Sequence, residues 1–107
     1  MNWKIGIMLL AIGLVDGCYS PDPPSLSSDS APIAIPAIKA AAKDDNRHAI
    51  PRLIEFLESH DSAIRFSAIS ALKHLTGEDL GYRYYDSEAA RRPAIARWKL
   101  WLKEHPQ

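Results

Sequence analysis

The sequence predicts an all-α protein: a short antiparallel stack of about four helices, closed by a tryptophan-containing C-terminal helix. Apolar residues recur at helical spacing in four segments, and Gly, Pro or Asp residues separate these segments. Two tryptophans lie on one face of the last segment. Residues 31–107 are enough for one small domain with a marginal core.

The first helix is predicted by apolar residues at helical spacing: Ile33, Ile35, Ile38, Ala41 and Ala42. Pro36 falls early in this segment, and residues 44–46, Asp-Asp-Asn, end it. We expect this helix to stack in front of the two that follow.

The second helix is predicted by the i, i+3, i+4, i+7 spacing of Ile50, Leu53, Ile54 and Leu57. Pro51 falls in its first turn, where the missing N–H costs little. A short interruption follows before the next apolar segment, so we expect the second and third helices to form an antiparallel pair.

The third helix presents one broad apolar face: Ile64, Ala68, Ala71, Leu72 and Leu75. Phe66 and Ile69 extend this face to a flank, which predicts neighbouring elements on two sides. Asp61 or Ser62 is expected to cap the start of the helix, and Gly77 its end. Small residues allow another helix to approach closely: Ser67, Ala68 and Ala71.

Together the second and third segments resemble a HEAT repeat. The pattern, with x for any residue, is Ile50-Pro51-x-Leu53-Ile54-x-x-Leu57 followed by Asp61-x-x-Ile64-Arg65-x-x-Ala68-x-x-Ala71-Leu72. In that family the turn Asp and the Arg four residues later are structural and form polar bonds between neighbouring repeats. The resemblance implies this role for Asp61 and Arg65. Such stacks usually need at least three units, and only about one and a half are present, so another element must cap the stack.

The C-terminal helix is the predicted cap. Its apolar face is formed by Ala94, Ile95, Trp98, Trp101 and Leu102. Because Pro93 would break a helix interior, we expect the regular helix to begin near Arg91 or to kink at the proline. Three features together resemble the tail of small bacterial HEAT-repeat lipoproteins: Leu75-Thr76-Gly77, Gly81-Tyr82 and Ala94-Ile95-Ala96-Arg97-Trp98. That group implies no common biochemical activity.

The connection over residues 77–86 is long for a helix–helix loop and carries Tyr82, Tyr84 and Tyr85. Tyrosines favour interfaces because one end is apolar and the other polar. Two interpretations stay open: these side chains contact a partner, or they pack the loop onto the helices.

The N-terminal segment has the pattern of a secretory signal peptide over residues 1–17. Lys4 precedes the apolar run Ile5–Val15, which would extend roughly 16 Å as a helix and cannot span a bilayer core of about 30 Å. Residues 14–18, Leu-Val-Asp-Gly-Cys, resemble a bacterial lipobox, which implies cleavage before Cys18 and its modification by diacylglyceryl and acyl (palmitate-type) chains. Tyr19, rather than Asp, after the cysteine implies the outer membrane.

Two details keep a second interpretation open. Asp16 departs from the small neutral residue that the lipobox prefers, and Val15 and Gly17 also suit ordinary signal peptidase. That route would leave a soluble periplasmic or secreted domain.

Residues 18–30 predict a disordered tether behind the lipidated cysteine. They consist mainly of Ser, Pro and Asp, which cannot bury enough apolar surface to offset the entropy of ordering. Extended at ~3.1 Å per residue, the segment would reach roughly 35 Å from a lipid surface.

Several function classes find no support in the sequence. Formal net charge is +0 and no concentrated basic face is present, so nucleic acid is not expected as a partner. We find no phosphate-binding glycine loop, metal-ligand spacing or nucleophile elbow, and therefore expect no enzyme activity, no cofactor and no metal. The four histidines are scattered: His48, His60, His74 and His105.

The sequence thus predicts a lipoprotein of the bacterial cell envelope, tethered to the membrane through Cys18, with a HEAT-like module that binds an unknown protein partner. The alternative is a soluble periplasmic or secreted helical domain that binds a peptide or protein. A third interpretation is an accessory protein of the tetrapyrrole-lyase type that is associated with some HEAT repeats.

Overall fold

The computed structural model describes residues 22–107 and contains four α-helices and no strand in that part of the chain. Helix α1 is Ala31–Lys43, α2 is Ile50–Phe56, α3 is Ser62–Thr76 and α4 is Glu88–Glu104, and a 3₁₀ turn, Arg47–Ala49, precedes α2. The all-α class with four helices is confirmed. The predictions for the signal segment and for Cys18 concern residues outside the described range.

The helix ends follow from local chemistry. Of the two residues predicted to cap α3, Asp61 does so: its Oδ1 accepts from the N–H of Ala63 at 2.8 Å. Gly77 ends that helix in the left-handed conformation, with φ of 79°, and its N–H donates to the carbonyl of Lys73. Both predictions rest on contacts within a few residues of the chain.

Of the two alternatives predicted for α4, a start near Arg91 is wrong. The helix begins at Glu88 rather than near Arg91 and continues through Pro93. Ser87 starts it by accepting, through Oγ, the N–H three residues later at 3.2 Å. The carbonyl that Pro93 leaves without its usual donor belongs to Ala89, and both residues are exposed, so water can replace the lost bond.

Helix α3 is the centre of the packing. Helices α1 and α2 both pack on it, and α4 packs on α2. The fully buried large side chains come from all four helices: Trp98, Phe56, Ile38, Ile50, Leu53, Leu57, Ile64 and Leu72. Trp98 of α4 is thus part of the core, while a capping function of α4 stays a prediction.

The predicted apolar face of helix α1 largely packs on the core, and Ala34 belongs to it as well. Ala34, Ile38 and Ala41 are buried, whereas Ile33 and Ile35 are only partly buried. Ala34, Ile38 and Ala41 are four and three residues apart, which keeps them on one face. Helix α1 packs on α3, and the alanines of this face are small enough to allow a close approach.

The last part of the predicted tether is held against the fold. Arg52 Nε donates to the carbonyl of Leu26 at 2.6 Å, and its Nη2 pairs with Asp29 at 2.9 Å. Leu26 packs against the core, and the N–H of Ser25 donates to the carbonyl of Ile33. Composition predicted a disordered tether over residues 18–30, and this stays a prediction. Within that range, residues 25–29 contact an arginine more than twenty residues away.

Candidate partner-binding surface

Tyr82 belongs to the core rather than to the surface. It is 4% exposed, and its hydroxyl donates to the carbonyl of Leu57 at 2.7 Å. Burial raises the pKa of this phenol, although the nearby guanidinium groups of Arg91 and Arg65 act in the opposite direction. The side chain cannot reach a partner from this position, so Tyr82 follows the packing interpretation and leaves the set of candidate contacts.

Arg65 holds the connection over residues 77–86, which we call the tyrosine loop, to the turn between α2 and α3. The side chain is 9% exposed, its Nε donates to the carbonyl of Tyr84 at 3.0 Å, and its Nη1 donates to the carbonyl of Ser59 at 2.8 Å. Asp61, by contrast, is exposed and caps its own helix. Asp61 thus bonds the start of its own helix and Arg65 bonds the turn and the loop. The bonds between neighbouring repeats that the HEAT resemblance implies for them stay a prediction.

Helix α4 holds the same loop from its other side. Trp98 Nε1 donates to the carbonyl of Asp79 at 3.1 Å, and Arg91 Nε donates to the carbonyl of Asp86 at 3.0 Å. Arg97 Nε donates in the same way to the carbonyl of Leu80. The loop is thereby fixed at several carbonyl groups, and its remaining exposed side chains project from a held backbone.

Arg91 is buried, which no sequence pattern predicted. A signal for it exists: a long loop without secondary structure leaves carbonyl groups in need of donors, and arginine offers several N–H groups in a fixed geometry. Arginines on the helix that follows such a loop are natural candidates for this role.

Three aromatic rings form an exposed row that we call the aromatic ladder: Phe66, Tyr84 and Tyr85. The rings of Phe66 and Tyr84 meet edge to face with centroids 5.0 Å apart, and those of Tyr84 and Tyr85 meet in the same way at 5.2 Å. Phe66 is 52% exposed and Tyr85 is 68% exposed, while Tyr84 lies between them half-buried. Large exposed apolar side chains in contact with one another are typical of interaction surfaces.

The predicted neighbours on two sides of α3 are present, since α1 and α2 both pack on it and Ile69 is buried. Phe66 differs from Ile69: its ring is 52% exposed and meets the ring of Tyr84. The sequence contains a signal for this exposure. Ser70 and His74 follow Phe66 at intervals of four residues, so its own stripe of the helix is otherwise polar.

A groove adjoins the ladder between α1 and α3, with a volume of about 330 Å³. We call it the α1–α3 groove. Phe66 contributes to both the ladder and the groove, so the two form one continuous surface. Further lining residues include Lys39, Ala42, Lys43, Ser70 and Ala71. No sequence pattern predicted this groove, because its two walls are more than twenty residues apart.

The outer face of α4 carries another exposed apolar residue, Leu100, which is 55% exposed and lies between Lys99 and Lys103. Lys99 Nζ is 3.3 Å from a carboxylate oxygen of Glu58. A single exposed leucine is ordinary on a soluble surface. This face is useful as a control for the ladder.

Among residues 22–107, no three His, Cys, Asp or Glu side chains lie close enough together to hold a metal ion. None of the described helices has both the length and the hydropathy of a membrane-spanning segment. No protein-family model, curated protein or solved structure matches this chain. The HEAT resemblance of residues 50–72 therefore stays a prediction.

Proposed function

We propose that this protein is a lipoprotein of the bacterial envelope, tethered through Cys18, whose HEAT-like helical domain binds a protein partner and has no catalytic activity of its own. The observation that carries the binding function is the continuous surface of the aromatic ladder and the α1–α3 groove. The partner itself is unknown.

Two properties of this surface support a binding role. Aromatic side chains are enriched in protein interfaces, where they provide large contact areas with few rotatable bonds. The backbone beneath Tyr84 is held by Arg65, so binding would order few additional groups and would lose little conformational entropy.

Photo-cross-linking in cells tests the binding function. A photoreactive phenylalanine derivative at position 66 or 85 replaces an exposed ring with a similar one, and the same derivative at Leu100 is the matched control on α4. We expect a discrete protein adduct at positions 66 and 85 and none at position 100. The proposed binding surface is wrong if no adduct forms at either ladder position, or if position 100 gives the same adducts.

Tethering rests on the lipobox-like residues 14–18 and on the sequence alone. Labelling with an acyl precursor tests it, with Cys18→Ala as the control. We expect the label and membrane association to depend on Cys18. If wild type and variant incorporate equal label, the protein is not a lipoprotein.

The alternative, a soluble periplasmic or secreted binding domain, is favoured by one observation: Val15 and Gly17 suit ordinary signal peptidase and Asp16 departs from the lipobox. Fractionation distinguishes the two. The alternative predicts that the processed chain is recovered in the aqueous extract without detergent, whereas the tethered form requires detergent.

A further inference from the structure

We infer that the α1–α3 groove receives an acidic segment of the partner protein, in which apolar side chains enter the groove and carboxylates pair with Lys39 and Lys43. This inference rests on the proposed binding function and adds the chemistry of the partner to it.

The charge of the groove supports an acidic occupant. Lys39 and Lys43 are four residues apart in α1, so their side chains project from the same face, and in the described part of the chain neither forms an ion pair. No carboxylate lines the groove. At the His74 end of the groove, Asp45 Oδ1 is 3.4 Å from His74 Nε2. We therefore place the partner's carboxylates along the two lysines and away from His74.

The rest of the groove supports an apolar contact. Ala42, Ala71 and the exposed face of Phe66 contribute methyl groups and a ring, while Ser70 offers a hydroxyl. From Phe66 to His74 the groove extends roughly 12 Å along α3, or about two helical turns. This length suits a short segment with two apolar side chains one turn apart, the arrangement of helix-in-groove recognition.

An anionic lipid headgroup shares the negative charge but fits the remaining groove less well. A headgroup would leave the exposed parts of Ala42 and Phe66 in contact with water, whereas an amphipathic protein segment covers them. The observations therefore favour the protein segment.

Selection from a random library of displayed peptides on the full chain in mild detergent tests the inference. Two charge reversals are compared with wild type. Lys39→Glu combined with Lys43→Glu changes the groove, and Lys99→Glu combined with Lys103→Glu changes an exposed lysine pair of equal spacing on α4.

We expect the selected peptides to be enriched in Asp and Glu next to Leu or Phe. Their affinity should fall about tenfold with the groove reversal, since two attractive contacts become repulsive, and should change little with the α4 reversal. Selection of peptides without acidic enrichment, or equal losses in both variants, would overturn the inference.

Two further outcomes distinguish the binding function from the chemistry of the groove's occupant. Cross-links at position 66 without acidic enrichment would leave the binding function intact and remove only the inference about charge. Retention of the Cys18→Ala chain on phosphatidylglycerol vesicles, if the groove reversal abolishes it, would identify a lipid-binding groove and also overturn the inference.

Discussion

Replacement of Trp98 by alanine probes the core at the point where α4 joins the rest of the fold. The indole is fully buried and is among the largest side chains in the core. Its Nε1–H donates to the carbonyl of Asp79 at 3.1 Å, and its ring meets that of Trp101 edge to face at 5.6 Å. Trp98→Ala therefore removes apolar contact and one anchor of the tyrosine loop together.

The loss expected for Trp98→Ala is large relative to the free energy of unfolding of a small domain. Removal of a buried Trp or Phe side chain down to alanine costs about 3–5 kcal/mol. Native domains unfold with about 5–15 kcal/mol, and small domains lie at the low end because they bury less of their surface. Trp98→Phe keeps most of the ring but loses the N–H donor. Loss of the hydrogen bond to Asp79 should cost that variant about 1 kcal/mol beyond its loss of volume.

Urea denaturation followed by far-ultraviolet circular dichroism measures both losses without using tryptophan emission as the signal. The matched control is Leu100→Ala on the same helix, which is exposed and should change stability by less than about 0.5 kcal/mol. A Trp98→Ala variant as stable as wild type would refute the assignment of α4 to the core. Equal losses for Trp98→Ala and Leu100→Ala would refute the reasoning from burial.

Further variants test single contacts. Tyr82→Phe removes the hydroxyl donor to a buried carbonyl and should cost about 1 kcal/mol at neutral pH. Burial raises the pKa of Tyr82 above its unfolded value of 10.0, so the folded state holds the phenol proton more tightly. The free energy of unfolding of wild type should therefore fall as the pH rises above 10.0. Tyr82→Phe should lack this pH-dependent loss. Identical pH profiles would contradict this. Gly77→Ala should lower stability by about 1 kcal/mol in thermal unfolding, since φ is 79° and no neighbouring atom approaches the added methyl; an unchanged melting temperature would show that the helix end relaxes. Arg65→Lys keeps the charge but loses the geometry that reaches two carbonyls, so limited proteolysis should cleave the tyrosine loop faster than in wild type, and equal cleavage would argue against this anchor. Arg52→Gln should likewise speed cleavage within residues 25–29, and an unchanged rate would mean that Leu26 alone holds the segment.

The features that sequence predicted correctly depend on short stretches of chain. The cap by Asp61 and the left-handed end at Gly77 involve bonds over two to four residues, and the apolar spacing of the second and third helices repeats within each helix. Such patterns are readable because a helix places residues three and four apart on the same face regardless of what packs against it.

The sequence says least where distant segments meet. Composition predicted a tether over residues 18–30 and did not indicate that Arg52 contacts Leu26 and Asp29 across a separation of more than twenty residues. Pro93 predicted a helix start near Arg91 or a kink, but the helix begins at Glu88, and the carbonyl that Pro93 leaves without a donor belongs to an exposed residue that water can reach. In both cases the decisive neighbour or the exposure is a property of the folded chain.

By itself, then, the sequence determined that this protein is all-α with four helices and where several of those helices end, because helical periodicity and capping are local. The tertiary structure alone decided which aromatic residues face outward. Tyr82 and Tyr85 are three residues apart on one loop, yet one is buried against Leu57 and the other is exposed beside Tyr84 and Phe66. That division depends on how α1, α3 and the loop pack together, and it creates the surface on which the proposed function rests.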